Sequence, residues 1–297
     1  MCANRCILFE KSRGQKAADG GDDTPSQSSR TGAPAQLLWY AILPIEANAR
    51  RPEPVNDHRD TLYTEPLAGA SAFRFDERVA RVFPDMIRRS VPGYPTIIAM
   101  TGLLAGQYAQ AGSRLYDLGC SLGASTLAMC ANVAYEDCRF VAVDSSPAML
   151  RRCQSVLAEE EPSASIDLVC ARLQDVSIAD ASVVVLNFTL QFIPLEQRDA
   201  VIASIHAGLR PGGILVLSEK VRFEDPALDA LNIDLHHRFK LANGYSELEV
   251  AGKRSALEKV LLPETLERHR ARIFGAGFSS VGAWFQCFNF ASLIALK

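Results

Sequence analysis

The sequence predicts an α/β protein built on a doubly wound, mostly parallel sheet, and three observations carry this prediction. The apolar segment 115–118 runs into a glycine-rich turn, and a helix-like segment follows the turn. A second apolar segment, 140–143, ends about 25 residues further on in Asp144. A third segment, 182–188, is apolar almost throughout, as expected for a parallel strand that is buried on both faces. Strands that alternate with helices in this way are typical of βαβ units.

Residues 1–56 differ from the rest of the chain and are predicted to be a disordered N-terminal extension. Segment 16–35 is rich in Gly, Ser, Thr, Pro and Asp and has little hydrophobic periodicity. The apolar island 37–43 fits one short helix or strand, and 50–54 has the composition of a linker. A dispensable extension is the interpretation we adopt, with a regulatory tail as its alternative.

Residues 57–110 are predicted to form a helical cap. Val79, Val82 and Phe83 lie on one face of an amphipathic helix, which Pro84 is expected to break or restart. The tight turn 92–95 should then present Tyr94 at the start of a second helix, which continues to residue 108.

Residues 111–297 are predicted to form the α/β core, with a helical insertion at 225–260. A helix is expected at 195–209, stopped by the Pro-Gly-Gly run at 211–213, and another at 265–274. The last two strands should pair in antiparallel fashion. Residues 57–297 are thus expected to be a single domain with a seven-stranded Rossmann-like sheet. Its strands are predicted at 114–119, 140–144, 166–171, 182–188, 214–218, 281–287 and 290–296.

Composition argues against several classes of function. The net charge of −3 and the isoelectric point near 6.0 do not fit a dedicated nucleic-acid-binding protein. No apolar run is long enough to span a membrane, and the N-terminus lacks the pattern of a secretory signal. The eight cysteines show no C-x-x-C spacing and have no nearby His, so we expect reduced cysteines, no metal site and a cytoplasmic protein.

The glycine-rich turn predicts a nucleoside-containing cofactor. Glycines let the backbone approach a ligand closely, and Asp144 can accept hydrogen bonds from both hydroxyls of a ribose. Gly119 and Gly123 do not follow the G-x-G-x-x-G spacing of a dinucleotide site. The run D-L-G-C-S-L-G (117–123) instead resembles motif I of class I methyltransferase-like proteins, which implies that fold and S-adenosylmethionine as ligand. An incidental glycine turn between strand and helix is the alternative.

More specific motifs follow along the chain. They include H-R-D-T-L-Y (58–63), R-S-V-P-G-Y (89–94), V-V-L-N-F-T-L-Q-F (184–192), A-N-G-Y-S-E-L-E (242–249), K-R-S (253–255) and W-F-Q-C-F-N-F (284–290). Through them the chain resembles the carboxy-S-adenosylmethionine synthases, bacterial enzymes of tRNA wobble-uridine modification. The resemblance covers nearly all of 57–297 and none of 1–56.

The resemblance implies that S-adenosylmethionine and prephenate are converted to carboxy-S-adenosylmethionine and phenylpyruvate. The sulfonium methyl group is a very weak acid, which an ordinary side-chain base matches badly. Aromatisation of prephenate releases both carbon dioxide and hydroxide, so hydroxide can deprotonate the methyl group and the resulting ylide can trap the carbon dioxide. The protein then needs to provide proximity, exclusion of water and a clamp for carboxylates.

The family's site residues map onto this chain by motif. The resemblance implies that Arg254 binds the new carboxylate, that Tyr94 borders the same site, and that Asn187 faces the amino-acid end of the cofactor. The structural alternatives are a surface arginine for Arg254, a turn-packing aromatic for Tyr94 and a buried structural asparagine for Asn187. The remaining cofactor-binding positions implied are Gly119, Cys120, Ser121, Asp144, Ser145, Arg172 and Leu173. For Cys120 we expect a backbone contact rather than a reactive thiol.

One position departs from the family pattern. Arg172 stands where the family usually has an aspartate that approaches the adenine amino group, and a guanidinium cannot accept that hydrogen bond. We therefore expect contacts from the backbone of Arg172 and Leu173 and a weaker recognition of adenine.

Two other functions share the same cofactor turn. An ordinary methyltransferase acting on a small molecule or tRNA would not need Arg254 and Tyr94 around the methyl group. A non-catalytic S-adenosylmethionine-binding partner of a tRNA-modifying complex would need no turnover. The resemblance also implies a homodimer, with apolar surface offered by 225–260, and a functional link to a separate tRNA carboxymethyltransferase, without direct binding of nucleic acid.

Overall fold

The computed structural model describes residues 59–64 and 73–297. The extension predicted at 1–56 and His58 of the first family motif lie outside the described residues. Within the described part, the chain forms one seven-stranded sheet in the order β3-β2-β1-β4-β5-β7-β6. The prediction of a doubly wound, Rossmann-like sheet is confirmed. No described helix combines the length and apolarity that crossing a bilayer would need.

The first five strands are parallel, and the last two form the predicted antiparallel pair. β4 is the most deeply buried of them, because it lies between β1 and β5 with helices on both faces of the sheet. The strands are β1 (Arg114–Leu118), β2 (Arg139–Asp144), β3 (Ser165–Cys170), β4 (Ala181–Asn187), β5 (Leu209–Lys220), β6 (Ser280–Cys287) and β7 (Phe290–Leu296).

Five of the eight described α-helices begin at a capping side chain. Asp76, Ser146, Asp225, Ser246 and Thr265 each accept a hydrogen bond from backbone N–H groups of the first helical turn. The helices are α1 (Glu77–Ser90), α2 (Tyr94–Tyr108), α3 (Ala124–Asn132), α4 (Pro147–Glu160), α5 (Leu195–Gly208), α6 (Pro226–Ala242), α7 (Glu247–Leu257) and α8 (Leu266–Gly275). Short 3₁₀ helices lie at Leu173–Asp175 and Leu190–Phe192.

The prediction that Pro84 breaks the first helix is wrong. Helix α1 continues through Pro84 to Ser90. A proline removes one backbone donor, but its side chain here lies on the exposed face, and Val82, Phe83 and Met86 stay buried on the other. Packing of that apolar face against α4 outweighs the single lost hydrogen bond.

The Pro-Gly-Gly run also behaves differently from the prediction. Helix α5 already ends at Gly208, and residues 211–213 lie within β5, where the pairing with β4 is irregular. The pairing jumps from Leu209 opposite Ala181 to Ile214 opposite Val183, so the extra residues form a bulge in the sheet. The strand therefore starts five residues earlier than the predicted 214–218.

The cap is attached to the sheet through α4. Met149 of α4 is fully buried in an apolar cluster with Phe83 and Met86 of α1. The Ser146 hydroxyl donates a hydrogen bond of 2.5 Å to the backbone carbonyl of Phe75, just before α1. The cap is thereby held over the end of β2, where the site lies.

Candidate functional site

A cavity of about 440 Å³ lies at the carboxyl ends of the parallel strands. Open α/β sheets bind ligands at this edge, and the volume is typical of small-molecule sites. The ends of β1, β2, β3, β4 and β5 line the cavity, together with α1, the start of α2 and the helical insertion. The carboxyl ends of the strands and the helical insertion thus face one shared space.

The glycine-rich turn after β1 requires glycine at its first position. Gly119 has a φ of +86°, in the left-handed region, and a Cβ atom there would lie 2.2 Å from Oγ1 of Thr189. Gly119, Cys120 and Ser121 all line the cavity. Contact between the backbone of this turn and a ligand stays a prediction.

Asp144 is bound to this turn. Its Oδ2 accepts a hydrogen bond of 3.0 Å from the backbone N–H of Ser121, and its Oδ1 accepts one of 2.8 Å from that of Ser146. Burial raises the pKa of Asp144, opposed by the N–H groups of Ser146, Ser121 and Ser145. Each oxygen keeps a free lone pair. Asp144 and Ser145 line the cavity, where the carboxylate can accept two ribose hydroxyls.

The thiol of Cys120 is not activated. A hydrogen bond with Cys153, followed by burial and the nearby carboxylates, raises its pKa. A thiol held in its protonated form is a poor nucleophile. The contribution of the Cys120 backbone to ligand binding stays a prediction.

Asn187, at the end of β4, makes structural hydrogen bonds and also lines the cavity. Its Nδ2 donates to Oγ of Ser125 at 2.9 Å and to Oγ1 of Thr101 at 3.3 Å, and its Oδ1 accepts from Oγ of Ser218 at 2.6 Å. The side chain is therefore fixed by structural hydrogen bonds and still lines the cavity. Contact with the amino-acid end of the cofactor stays a prediction.

Tyr94 stands at the start of α2, as predicted, and lines the cavity. Its ring packs at a tilted angle, 6.3 Å from the ring of Phe188. Burial and the charge of Asp117 raise the pKa of its hydroxyl, so Tyr94 is a hydrogen-bond donor at neutral pH. Since that hydroxyl donates no hydrogen bond within 59–64 and 73–297, it is available to a ligand.

Arg172 and Leu173 follow β3 and both line the cavity. The exposed Arg172 side chain forms a two-point ion pair with Asp175, with distances of 2.8 and 3.0 Å. Its guanidinium is thus directed to a carboxylate of the same turn. The next residue, Gln174, lines the cavity and has a buried Oε1 without a described partner.

The turn after β4 is held by a buried glutamate that the sequence analysis did not single out. Oε1 and Oε2 of Glu219 accept hydrogen bonds of 2.9 Å from the backbone N–H groups of Leu190 and Gln191. Burial raises the pKa of Glu219 to about 8, and the charge of Arg198 opposes this. Phe188, in the same turn, adopts a left-handed φ of +61° and lines the cavity. Glu219 therefore fixes one wall of the site.

A group of basic side chains was also missed from the sequence. Lys220, His236, Lys240 and Lys253 line the cavity on the side of β5, α6 and α7. The spacing of basic residues along α6 does not reveal which of them face the cavity, because α6 also carries basic residues on its exposed side. Only the fold brings β5 and the two helices of the insertion to one place.

Arg254, the predicted carboxylate clamp, is exposed and does not line the cavity. The preceding residue on α7, Lys253, is buried and faces inward. Its charge still lowers the pKa values of Lys220 and Lys240, so it belongs to the same basic region. Its assigned role stays a prediction.

Curated relatives resemble the chain over almost their whole length. A carboxy-S-adenosyl-L-methionine synthase from Citrifermentans bemidjiense is 58% identical over 239 residues, which are 80% of this chain and 98% of the relative. The enzyme of that name from Escherichia coli K12 is 52% identical over 240 residues, 81% of this chain and 97% of the relative.

The domain family and solved structures support the fold. Residues 115–213 match the family described as a methyltransferase domain. An O-methyltransferase family protein from Burkholderia thailandensis superposes with a TM-score of 0.54 at 19% identity, over 75% of this chain and 60% of that structure. Human N-acetylserotonin methyltransferase, in complex with SAM, superposes with a TM-score of 0.51 at 16% identity, over 74% of this chain and 55% of that structure. The fold is that of S-adenosylmethionine-dependent methyltransferases.

Proposed function

The chain belongs to the carboxy-S-adenosyl-L-methionine synthase family, and on this premise we propose that it converts S-adenosylmethionine and prephenate to carboxy-S-adenosylmethionine and phenylpyruvate. The observation that carries the proposal is the division of the cavity. Gly119 and Asp144 form a nucleoside-binding edge on the sheet, and the lysines beneath the insertion form a basic region facing the same space.

The residues present fit S-adenosylmethionine, which is a substrate of this reaction. Asp144 has free lone pairs for the ribose, and the turn at Gly119 allows close approach. Tyr94 and Asn187 line the same cavity and are proposed to face the methionine end of the ligand. Arg172 and Leu173 provide the adenine edge through their backbone. No metal takes part in this proposal.

The chemistry balances without a protein base. Prephenate loses carbon dioxide and hydroxide and becomes phenylpyruvate; the hydroxide takes a proton from the sulfonium methyl group, giving water, and the carbon dioxide becomes bonded to that carbon. The protein has to hold the two molecules together, exclude bulk water and stabilise carboxylates. The aromatic wall of Phe73, Phe75, Phe188 and Phe290 supports the exclusion of water, and the basic region supports the carboxylates.

Arg254 is proposed to bind the new carboxylate, since its charge acts on the lysines that line the cavity. An Arg254→Gln variant should lose most carboxylated product and keep its affinity for S-adenosylmethionine, because the side chain is exposed and outside the nucleoside edge. Full turnover in that variant would remove Arg254 from the site.

The surroundings of the enzyme are also proposals. We propose that the enzyme is a cytoplasmic homodimer. The exposed Leu228, Leu231 and Leu248 of the insertion support the dimer, because they offer apolar surface for a second copy. Light scattering showing a monomer at working concentration would reject the dimer. The product is proposed to serve as carboxymethyl donor for a separate tRNA-modifying enzyme, which the net charge of −3 supports.

The test is turnover of the purified protein with S-adenosylmethionine, with and without prephenate, followed by mass spectrometry of both products. Carboxy-S-adenosylmethionine and phenylpyruvate should form together and only when prephenate is present. A methylated acceptor in place of these products would favour an ordinary methyltransferase. Binding of S-adenosylmethionine without any turnover would favour a non-catalytic partner.

A further inference from the structure

Two lysines in the cavity have no described anion to pair with. Lys220 ends β5 and is half-buried, and Lys240 lies in the last turn of α6 with 7% of its surface exposed. Both line the cavity. Within 59–64 and 73–297, neither ammonium group forms an ion pair or donates a hydrogen bond; Asp229 acts on Lys220 only at longer range.

The contrast with the third lysine is informative. Nζ of Lys253 donates a hydrogen bond of 2.9 Å to Oγ of Ser90 and lies 3.6 Å from Oδ2 of Asp60, itself buried. Lys253 is thus part of a satisfied network between the cap and α7. Lys220 and Lys240 face the same cavity without such partners.

Leaving these two charges unpaired costs folding free energy. Burial, and then the charges of Lys220, Lys253 and Arg254, lower the pKa of Lys240 to about 7. Burial and Arg254 also lower the pKa of Lys220. Unpaired buried cations are retained in proteins mainly where a ligand needs them, because they oppose stability.

His236 is neutral, so the positive charge that lines this part of the cavity comes from the lysines. Its Nε2 lies 2.8 Å from the backbone carbonyl of Ser90, which can only accept, so the ring carries its proton on Nε2. Burial and the charges of Lys240 and Lys220 lower the pKa of His236 to about 2. The imidazole is therefore neutral, and its edge-to-face packing on Phe290, at 4.8 Å, fixes it as part of the wall.

We propose that Lys220 and Lys240 together bind the two carboxylates of a dianionic co-substrate, which is prephenate if the function proposed above is correct. A dicarboxylate supplies one negative charge for each unpaired ammonium group, and its ring packs against the aromatic wall that Phe188 and Phe290 form. The site distinguishes substrate from product, because phenylpyruvate has lost one of the two carboxylates.

The experiment compares Lys220→Met and Lys240→Met with Lys240→Arg, and uses Arg238→Met as a matched control. Arg238 lies on the same helix with 74% of its side chain exposed, so its removal changes net charge equally without touching the cavity. Binding of prephenate and of phenylpyruvate is measured by calorimetry with S-adenosylhomocysteine present, which has no methyl group to react. KM values for prephenate and S-adenosylmethionine are measured in parallel.

Each methionine variant should weaken prephenate binding by about tenfold to a hundredfold, the range for losing one charge-assisted hydrogen bond. Binding of S-adenosylmethionine should stay unchanged, Lys240→Arg should retain most prephenate affinity, and phenylpyruvate should bind more weakly than prephenate to the unmodified protein. The melting temperature without ligand should not fall in either methionine variant, which separates this role from a structural one.

Two results would overturn the inference. If the unmodified protein makes carboxylated product and both methionine variants bind prephenate as tightly as it does, the lysines are not the anion site although the proposed function holds. If the unmodified protein makes no carboxylated product, the proposed function fails, and calorimetry still decides: prephenate binding that depends on both lysines supports a dianion site, and no prephenate binding rejects it.

Discussion

The backbone N–H of Ser121 donates a hydrogen bond of 3.0 Å to Oδ2 of Asp144, which joins the glycine-rich turn after β1 to the end of β2. Ser121 adopts a left-handed φ of +51°, between Gly119 at +86° and Gly123 at +87°. One carboxylate therefore holds the strained turn in place and also lines the cavity. The geometry of the turn and the binding of a ribose depend on the same side chain.

An Asp144→Asn variant should bind S-adenosylhomocysteine about tenfold to a hundredfold more weakly, because a charged acceptor is lost and an amide N–H is placed against a backbone N–H. Calorimetry measures this directly. Asp137→Asn is the matched control, since Asp137 is an exposed acid just before the same strand. Equal affinity in the Asp144 variant and the unmodified protein would show that Asp144 does not bind the ribose.

A Gly119→Ala variant should lose about 2–4 kcal/mol of unfolding free energy, from backbone strain at φ +86° and from the contact of its Cβ with Thr189 at 2.2 Å. Urea denaturation measures the loss. Gly275→Ala is the control, because no atom lies within 4 Å of a Cβ there and its φ is ordinary. A loss no greater than that of the control would contradict the described turn.

An Arg172→Asp variant should bind S-adenosylmethionine about threefold to tenfold more tightly, because it restores an acceptor for the adenine amino group. Loss of the exposed ion pair with Asp175 should cost little stability. Arg172→Ala separates removal of the guanidinium from gain of the carboxylate. An Arg172→Asp variant that binds no more tightly than the unmodified protein would refute the predicted weakness at this position.

The stability of the ligand-free protein should depend on pH through Lys240. Its pKa is lowered from 10.5 to about 7 in the folded protein, so between these values the unfolded chain keeps a proton that the folded protein has released. Raising the pH through this window therefore favours folding, and the penalty is full below about pH 7. The charged and titratable groups around it are Lys220, Lys253, Arg254, His236 and His237.

The pKa of Lys253 is also lowered, so its effect has to be separated from that of Lys240. The difference in unfolding free energy between the unmodified protein and Lys240→Met, measured at each pH, gives the contribution of Lys240 alone. The methionine variant should be the more stable of the two near pH 7, and the difference should shrink as the pH approaches 10.5. A difference that stays constant over this range would mean that Lys240 is not buried as a free cation.

Much of the fold was predictable because local signals and tertiary packing agree in the core. The apolar run of β4, the turn at Gly119 and the tip at Asp144 each lie where the sequence places them. The predicted break at Pro84 is wrong because helix propensity reflects the lost backbone hydrogen bond but not the burial of the apolar face of α1. The bulge in β5 was missed because glycine and proline usually indicate a turn.

The basic region was not predictable from spacing. Lys220 ends a strand, and Lys240 lies 20 residues further on in the last turn of a helix. Only the packing of the insertion on the sheet brings them to one cavity. Similarly, nothing in the sequence shows that Lys253 points inward while Arg254 is exposed, because that depends on the rotation of α7 about its axis.

The most direct test of the account follows the carboxyl group itself. The protein is incubated with S-adenosylmethionine and with prephenate labelled isotopically in its ring carboxylate, and the nucleoside product is analysed by mass spectrometry. If the proposed reaction takes place, the carboxylated product carries the label and forms in amounts equal to the phenylpyruvate. A product without the label, or phenylpyruvate formed without any carboxylated nucleoside, would contradict it.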